Sequence, residues 1–211
     1  RDRLRSRGLG DVYKRQEEIW KMLDKNLIQY IDASDNGQIP DINVDYKLVQ
    51  LAGIISEFNP NWDEEIDPDI KFKEALKIAE IIFNNAIEST VSKVKAKEKV
   101  DIAIENSKDG IMVLEKFFPW KEFLLESNNS KAKLINFVVF PSNRGGYNIY
   151  TVPEKLGSFS SRKLFPNEWA GLQGEELQKV TNVKTARFCH NKCFICAVDT
   201  IEDAIKIAHI A

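Results

Sequence analysis

The stretch FVVFPSNRGGYNIYTVP, residues 137–153, decides the fold class. Two runs rich in β-branched and aromatic residues, 136–140 and 147–152, flank Ser142-Asn143-Arg144-Gly145-Gly146. Such runs fit a pleated, half-buried surface, and a polar, glycine-rich insert between them predicts a hairpin turn. The same signature returns at 186–190 and 193–198. A short apolar run at 111–114 adds a further strand. Helical patterns at 119–127, 175–180 and 200–210 lie between and after these strands, with Pro119 in a first turn and Thr200 as an N-cap.

Upstream of about residue 107 the period changes from strand to helix. Residues 17–31 place Ile19, Met22, Leu23, Leu27, Ile28 and Ile31 at helical spacing, with Glu17 and Glu18 in the first turn. Asp32-Ala33-Ser34-Asp35-Asn36-Gly37 then stops that helix. Residues 45–58 read as a second helix, ended by Asn59-Pro60. Asp67-Pro68 introduces a third, whose apolar stripe runs from Phe72 and Leu76 through Phe83 to Val94 and which extends to about residue 106. The expected fold is therefore α/β (α+β): a helical part over 17–106 and a mixed-sheet α/β part over 107–211.

Residues 1–16, RDRLRSRGLGDVYKRQ, differ in composition from the rest of the chain. Five of the chain's eight arginines fall in the first 15 residues, whereas after Gln16 there are 21 lysines and three arginines, Arg144, Arg162 and Arg187. The segment resembles translated adapter sequence and is read as non-native; a basic nucleic-acid arm is the alternative. Without it, 24 basic and 30 acidic residues remain, a net charge near −6. That argues against a broad nucleic-acid surface and leaves room for a local basic groove.

A chain that is 43% hydrophobic and 29% charged can bury a core and is not disordered by composition. No apolar run approaches the roughly 18–20 residues that span a bilayer, so no membrane contact is expected. The three cysteines, Cys189, Cys193 and Cys196, lie within eight residues and fit a reducing, intracellular compartment (cytoplasmic, nuclear or mitochondrial) better than a disulfide framework. Their Cys-x3-Cys-x2-Cys spacing matches one iron–sulfur motif, yet only 15 residues follow it and the segment alternates as a strand. Buried free thiols are the expectation. Trp62, Trp120 and Trp169 are expected in core or rim packing.

Two further constellations carry possible chemistry. Asp32 and Asp35, three residues apart at a helix end, can both reach one divalent cation, and hard oxygen donors suit Mn²⁺ or Mg²⁺. A solvated helix terminus explains the same residues. Ser160-Ser161-Arg162-Lys163 sets two adjacent cations among hydroxyls, and a guanidinium grips phosphate through parallel hydrogen bonds. A solvated loop explains these too. At Arg144-Gly145-Gly146 the glycines admit either a ligand close to the backbone or a plain turn.

Taken together, IDASDNG (31–37), FNPNW (58–62), FPWKEFL (118–124), the 137–153 stretch, GSFSSRKLFPNEWAGLQGEELQKVT (157–181) and FCHNKCFICAVDTIEDAIKIA (188–208) resemble the Myg family. These melanocyte-proliferating-gene proteins are described as metal-dependent hydrolases and exonucleases of the DHH phosphoesterase superfamily. The resemblance covers everything from residue 17 onward. It implies two α/β lobes, with a two-metal centre of His and Asp motifs in the first. This chain has two histidines, His190 and His209, so most of that centre is expected to be missing and the chain to be an inactive C-terminal fragment. The resemblance further implies Asp35, or Asp32 in its place, as a metal ligand. It assigns substrate phosphate to the Ser161-Arg162-Lys163 element, with His190 as a further contact; Arg144 joins the candidate phosphate contacts from its Arg-Gly-Gly setting alone. The cofactor would be Mn²⁺ or Mg²⁺ in the full-length protein, and the partner RNA or a phosphorylated small molecule. The implied activity is that of a 3′-5′ RNA exonuclease; a non-catalytic binding module and a small-molecule phosphatase or pyrophosphatase stand as alternatives. Lys192, Cys193 and Cys196 depart from a glycine-rich family stretch, which puts a backbone phosphate contact there in doubt.

Overall fold

A computed structural model describes residues 2–38 and 49–211. The chain divides into two compact units, Arg1–Val94 and Lys95–Ala211. The first unit is helical. Helix α1 (Asp2–Leu23) runs through a π-helical turn, Asp24–Ile28, into α2 (Gln29–Asp35). The helix thus begins well upstream of Glu17. Residues 1–16 lack an apolar period but are rich in Arg, which favours a helix by propensity alone. Lys21 then pairs with Glu17 one turn back, at 2.6 Å. Asn36 and Gly37 end the rod, Gly37 at a positive φ of 69°.

Helix α3 (Leu51–Ser56) lies within the expected 45–58; the first residues of that prediction fall outside the described residues. Helix α4 (Pro68–Glu105) is the long helix that the 3.6-residue stripe predicts. Its burial is uneven. Thr90, Val94, Val100 and Ile104 are buried, whereas Phe72, Leu76 and Phe83 on the same stripe are exposed. Trp62 also differs from expectation. It is 97% exposed, in the turn between α3 and α4, while Trp120 and Trp169 are buried as expected. A turn held by its own local bonds, such as Asn61 N–H to the Glu64 carboxylate at 2.9 Å, gives an adjacent ring nothing to pack on.

The second unit is built on a five-stranded sheet of order β1-β2-β3-β5-β4. Its strands are β1 (Ile111–Val113), β2 (Phe137–Pro141), β3 (Tyr147–Thr151), β4 (Ala186–Cys189) and β5 (Ile195–Val198). β1 pairs with β2 in parallel and every other neighbour is antiparallel. Both expected hairpins form. In the first, Phe137 stands opposite Thr151 and Pro141 opposite Tyr147. Helix α5 (Lys121–Leu125) precedes β2, α6 (Gly174–Thr181) precedes β4, and α7 (Ile201–Ile210) ends the chain. Thr200 accepts the Asp203 N–H at 3.2 Å, the N-cap that its position predicts.

Alternation sorts the strand residues onto two faces. Phe137, Val139, Ile149, Cys196 and Val198 join Leu177 of α6 and Ala204, Ile207 and Ala208 of α7 in one buried cluster. Val138 and Tyr150 point the other way. The three cysteines are free and buried, and Cys189 stands opposite Cys196 in the ladder.

Candidate functional site

The register places the sequence candidates at particular ends of the sheet. Residues 157–165 return to the finish of β3. Pro153 and Ser161 form a β-bridge, and Ser161 Oγ lies 2.8 Å from Thr151 Oγ1. The Arg162 N–H donates to the Val152 carbonyl at 2.8 Å. Because Thr151 faces Phe137, this is also the beginning of β2. Arg162 Nη1 donates there to the carbonyls of Ala132 at 2.6 Å and Ile135 at 2.8 Å. These oxygens close the 3-10 turn Ser130–Leu134, so the guanidinium caps a helix end. Its partial burial holds the Arg162 pKa below the ordinary value, yet an arginine stays charged at neutral pH. The Nε and Nη2 groups of Arg162 make no hydrogen bond among the described residues and remain available as a fork. Lys163 is exposed and its Nζ lies 5.8 Å from the centroid of the Phe137 ring.

His190 comes to the same end of the sheet from the other hairpin. The Thr151 N–H donates to the Phe194 carbonyl at 3.1 Å, and the His190 and Phe194 rings are 4.4 Å apart. His190 Nδ1 accepts the Lys192 N–H at 3.1 Å, which assigns the proton of the neutral ring to Nε2. Ser161, Arg162, Lys163 and His190 thus share one end of the β2–β3–β5 ladder. Arg144 does not join them. It is exposed in the β2–β3 turn, at the far end of the same two strands.

The glycines beside Arg144 serve the chain itself. Gly146 has φ 71°, and a Cβ there would collide with the Val198 carbonyl oxygen and stand 3.2 Å from the Arg187 guanidinium carbon. The close approach that only glycine permits is made by β5. Arg187, which the sequence singles out only as a rare arginine, bonds Asp199 through Nε and the Gly145 carbonyl at 2.8 Å through Nη1. Its role needed the tertiary contact to be visible.

In the first unit, Asp32 and Asp35 end α2. Asp32 is engaged locally: its carbonyl accepts Asn36 Nδ2 at 2.9 Å and its Oδ1 accepts the same group at 3.3 Å. Asp35 is exposed and lines a groove of about 740 Å³ with Tyr30, Ser34, Phe58, Asn59 and Phe72. Most of that lining is apolar. Among the described residues, no group of three or more His, Cys, Asp or Glu side chains is placed to hold a metal ion. Two carboxylates alone fall short of the six or so oxygen donors that Mn²⁺ or Mg²⁺ takes, so the described residues do not by themselves make a site for either ion. The cysteine cluster is likewise no metal centre among those residues. Cys196 is raised by its hydrogen bond with Cys189 and by burial, and burial raises Cys193, so both stay protonated.

The comparison with known proteins bears on the whole constellation. The family model MYG1_exonuc, described as "Uncharacterised protein family (UPF0160)", matches residues 6–211. The chain belongs to this family. The MYG1 match takes in the 31–37, 157–165 and 188–198 segments alike. Among curated relatives, the MYG1 protein YER156C of Saccharomyces cerevisiae is 30% identical over 92% of this chain. The MYG1 protein of Dictyostelium discoideum is 29% identical over 91%, and the human protein named MYG1 exonuclease is 29% identical over 90%. The chain spans 63% of the yeast and Dictyostelium proteins and 54% of the human one. No solved structure matches with significance. No helix among the described residues is long and apolar enough to cross a membrane.

Proposed function

We propose that Lys95–Ala211 is the phosphate-gripping part of a metal-dependent exonuclease that acts on RNA. The observation that carries this reading is the convergence of Ser161, Arg162, Lys163 and His190 on one end of the sheet. Arg162 offers the Nε/Nη2 fork, a shape that matches two phosphate oxygens. Its Nη1 bonds to Ala132 and Ile135 fix that fork in place. Lys163 adds a point charge, and His190 adds an Nε2–H donor when neutral. Cationic donors held rigidly in this way stabilise negative charge that grows on a phosphate in the transition state. The names of the human and rat relatives, MYG1 exonuclease, support a nuclease for the family.

The metal donors beyond Asp35 would belong to the part of the longer relatives that this chain does not span. Divalent ions bound there, Mn²⁺ or Mg²⁺, would lower the pKa of a bound water and so generate the nucleophile. The 211-residue chain by itself would bind Mn²⁺ weakly and turn over no RNA. The two carbonyl bonds of Arg162 favour a second reading, in which this residue is purely structural and the unit is a binding module without catalysis.

The test uses the full-length protein with Mn²⁺, assayed on RNA and on pyrophosphate. Hydrolysis of RNA alone supports the exonuclease, and hydrolysis of pyrophosphate alone supports the small-molecule enzyme. Arg162→Ala should lower the rate by roughly 10²–10³ if it stabilises transition-state charge. Lys163→Ala, at an exposed position, should lower the rate with no loss of folding. Unchanged rates in both variants reject the phosphate assignment.

A further inference from the structure

One face of the sheet is covered by α6 and α7, and the other carries a line of aromatic rings. Phe117 and Phe140 are 5.1 Å apart, Phe140 and Tyr150 5.2 Å, Tyr150 and Phe194 6.5 Å, and Phe194 and His190 4.4 Å. The line is continuous, each ring tilted or edge-on to the next at distances usual for aromatic contacts. It starts near the β2–β3 turn and finishes at His190, the end that holds Arg162 and Lys163. Phe117 is 58% exposed, and Tyr150, Phe194 and His190 are half-buried; Phe140 lies beneath as support. A cleft of about 520 Å³ opens over the first part of the line, between Phe117, Tyr150, Phe188 and Arg144.

The charge around this cleft has one sign. No Asp or Glu is among the residues that line it. Arg187 is neutralised by Asp199, but Arg144 makes no ion pair among the described residues. Lys121 is exposed and its Nζ stands 5.8 Å from the centroid of the Tyr150 ring. Partly exposed rings with cations beside them suit a polyanion whose monomers carry flat π-systems. A lipid surface would want bulk aliphatic contact, and an acidic peptide would leave the rings unmatched. Single-stranded nucleic acid uses both features, its bases on the rings and its phosphates on the cations.

We infer that this ring line is a docking track for single-stranded nucleic acid. The strand lies across the sheet, with bases stacked on Phe117, Tyr150 and Phe194 and its backbone against Arg144 and Lys121. The track delivers a phosphate to His190, Arg162 and Lys163. The inference rests on the proposed nuclease reading and adds to it the surface that positions the strand. In a chain of acidic overall balance, base stacking, which is sequence-tolerant, adds to what the local cations contribute.

The test is binding of a fluorescein-labelled eight-nucleotide oligouridylate to the 211-residue chain in EDTA, read by fluorescence anisotropy. An abasic strand of equal length is measured beside it. With three bases stacked at about ten-fold each, the intact strand should bind roughly a thousand-fold tighter than the abasic one, and Phe117→Ala or Tyr150→Leu should each remove about one ten-fold factor for the intact strand only. Arg144→Ala should weaken both strands alike and reduce the salt slope by about 0.7. Thermal unfolding of Phe117→Ala should match the parent because the ring is exposed, and Tyr150→Leu, which gives up ring contacts with Phe140 and Phe194, should unfold slightly lower while staying folded at the temperature of the binding assay. Equal binding of intact and abasic strands, or ring variants that bind normally, overturns the track. So does self-association of the chain that Phe117→Ala abolishes, since the rings would then serve a second copy. Full-length protein that hydrolyses RNA with both ring variants at the parent's rate and affinity keeps the nuclease and rejects the track. Full-length protein that hydrolyses no RNA while the chain still discriminates the two strands keeps the track and rejects the nuclease.

Discussion

Leu177 and Leu76 are both leucines on the apolar stripe of an amphipathic helix, and only one of them is buried. Leu177 of α6 is fully enclosed in the cluster between the sheet and α7. Leu76 of α4 is 45% exposed, as are its neighbours on the stripe, Phe72 and Phe83, to similar or greater degrees. The contrast holds for the two units at large. In the first, Leu23, Thr90 and Val94 are the buried side chains among the described residues. In the second, a sheet gathers residues from distant parts of the chain and closes over them. An amphipathic helix can form from local pattern, but most of its stability comes from burying its stripe against another element.

That contrast can be broken by truncating each leucine. Leu177→Ala should destabilise the second unit by about 2–5 kcal/mol, measured by urea unfolding, because it opens a cavity in a closed core. Leu76→Ala should change the same measurement by less than about 1 kcal/mol. Equal losses would mean that α4 is covered as fully as α6.

The glycines of the β2–β3 turn sharpen the point inside the second unit. Gly145 and Gly146 both have positive φ, but only Gly146 is crowded, by the Val198 carbonyl and Arg187. Gly145→Ala should destabilise by the left-handed backbone penalty, about 1–2 kcal/mol. Gly146→Ala should exceed that, because β5 must move to admit the methyl group. Similar unfolding midpoints for the two variants would refute the crowding argument.

The cap of α7 should have a smaller effect. Thr200→Ala removes the acceptor of the Asp203 N–H and should lower stability by about 1 kcal/mol. An unchanged value would mean that water replaces the hydroxyl without loss.

The smallest effect concerns pH. Cys193 and Cys196 are raised in the folded state, so each favours the fold below the ordinary thiol pKa and loses that contribution as pH rises from about 8.5, whereas Cys189, lowered by its hydrogen bond with Cys196, offsets part of the loss. The thermal midpoint should therefore fall between about pH 8 and pH 10, and Cys196→Ala should flatten the fall. A fall of the same slope in the variant would remove the thiol from the explanation.

Much of the second unit was legible in the sequence because its signals are local. The alternation at 136–140 and 147–152, the turn residues between them, and Thr200 before its helix each specify a conformation within a few residues. The helix α4 was legible for the same reason, from its 3.6-residue stripe. The start of α1 was not, since propensity without an apolar period is a weak signal. Trp62 was not either, because whether a ring is buried depends on what passes over it.

By itself, the sequence determined most of the segments that become strands and helices, the mixed α/β class, and which cationic and hydroxyl side chains the chain carries. Only the tertiary structure decided that Ser161, Arg162, Lys163 and His190 meet at one end of the sheet while Arg144 stands at the other. It alone decided that Arg162 also closes a 3-10 turn, that β5 is what crowds Gly146, and that separate segments supply one line of rings. The reason is range. Backbone preference acts over a handful of residues, whereas ladder register brings together groups tens of residues apart, and no local signal carries that information.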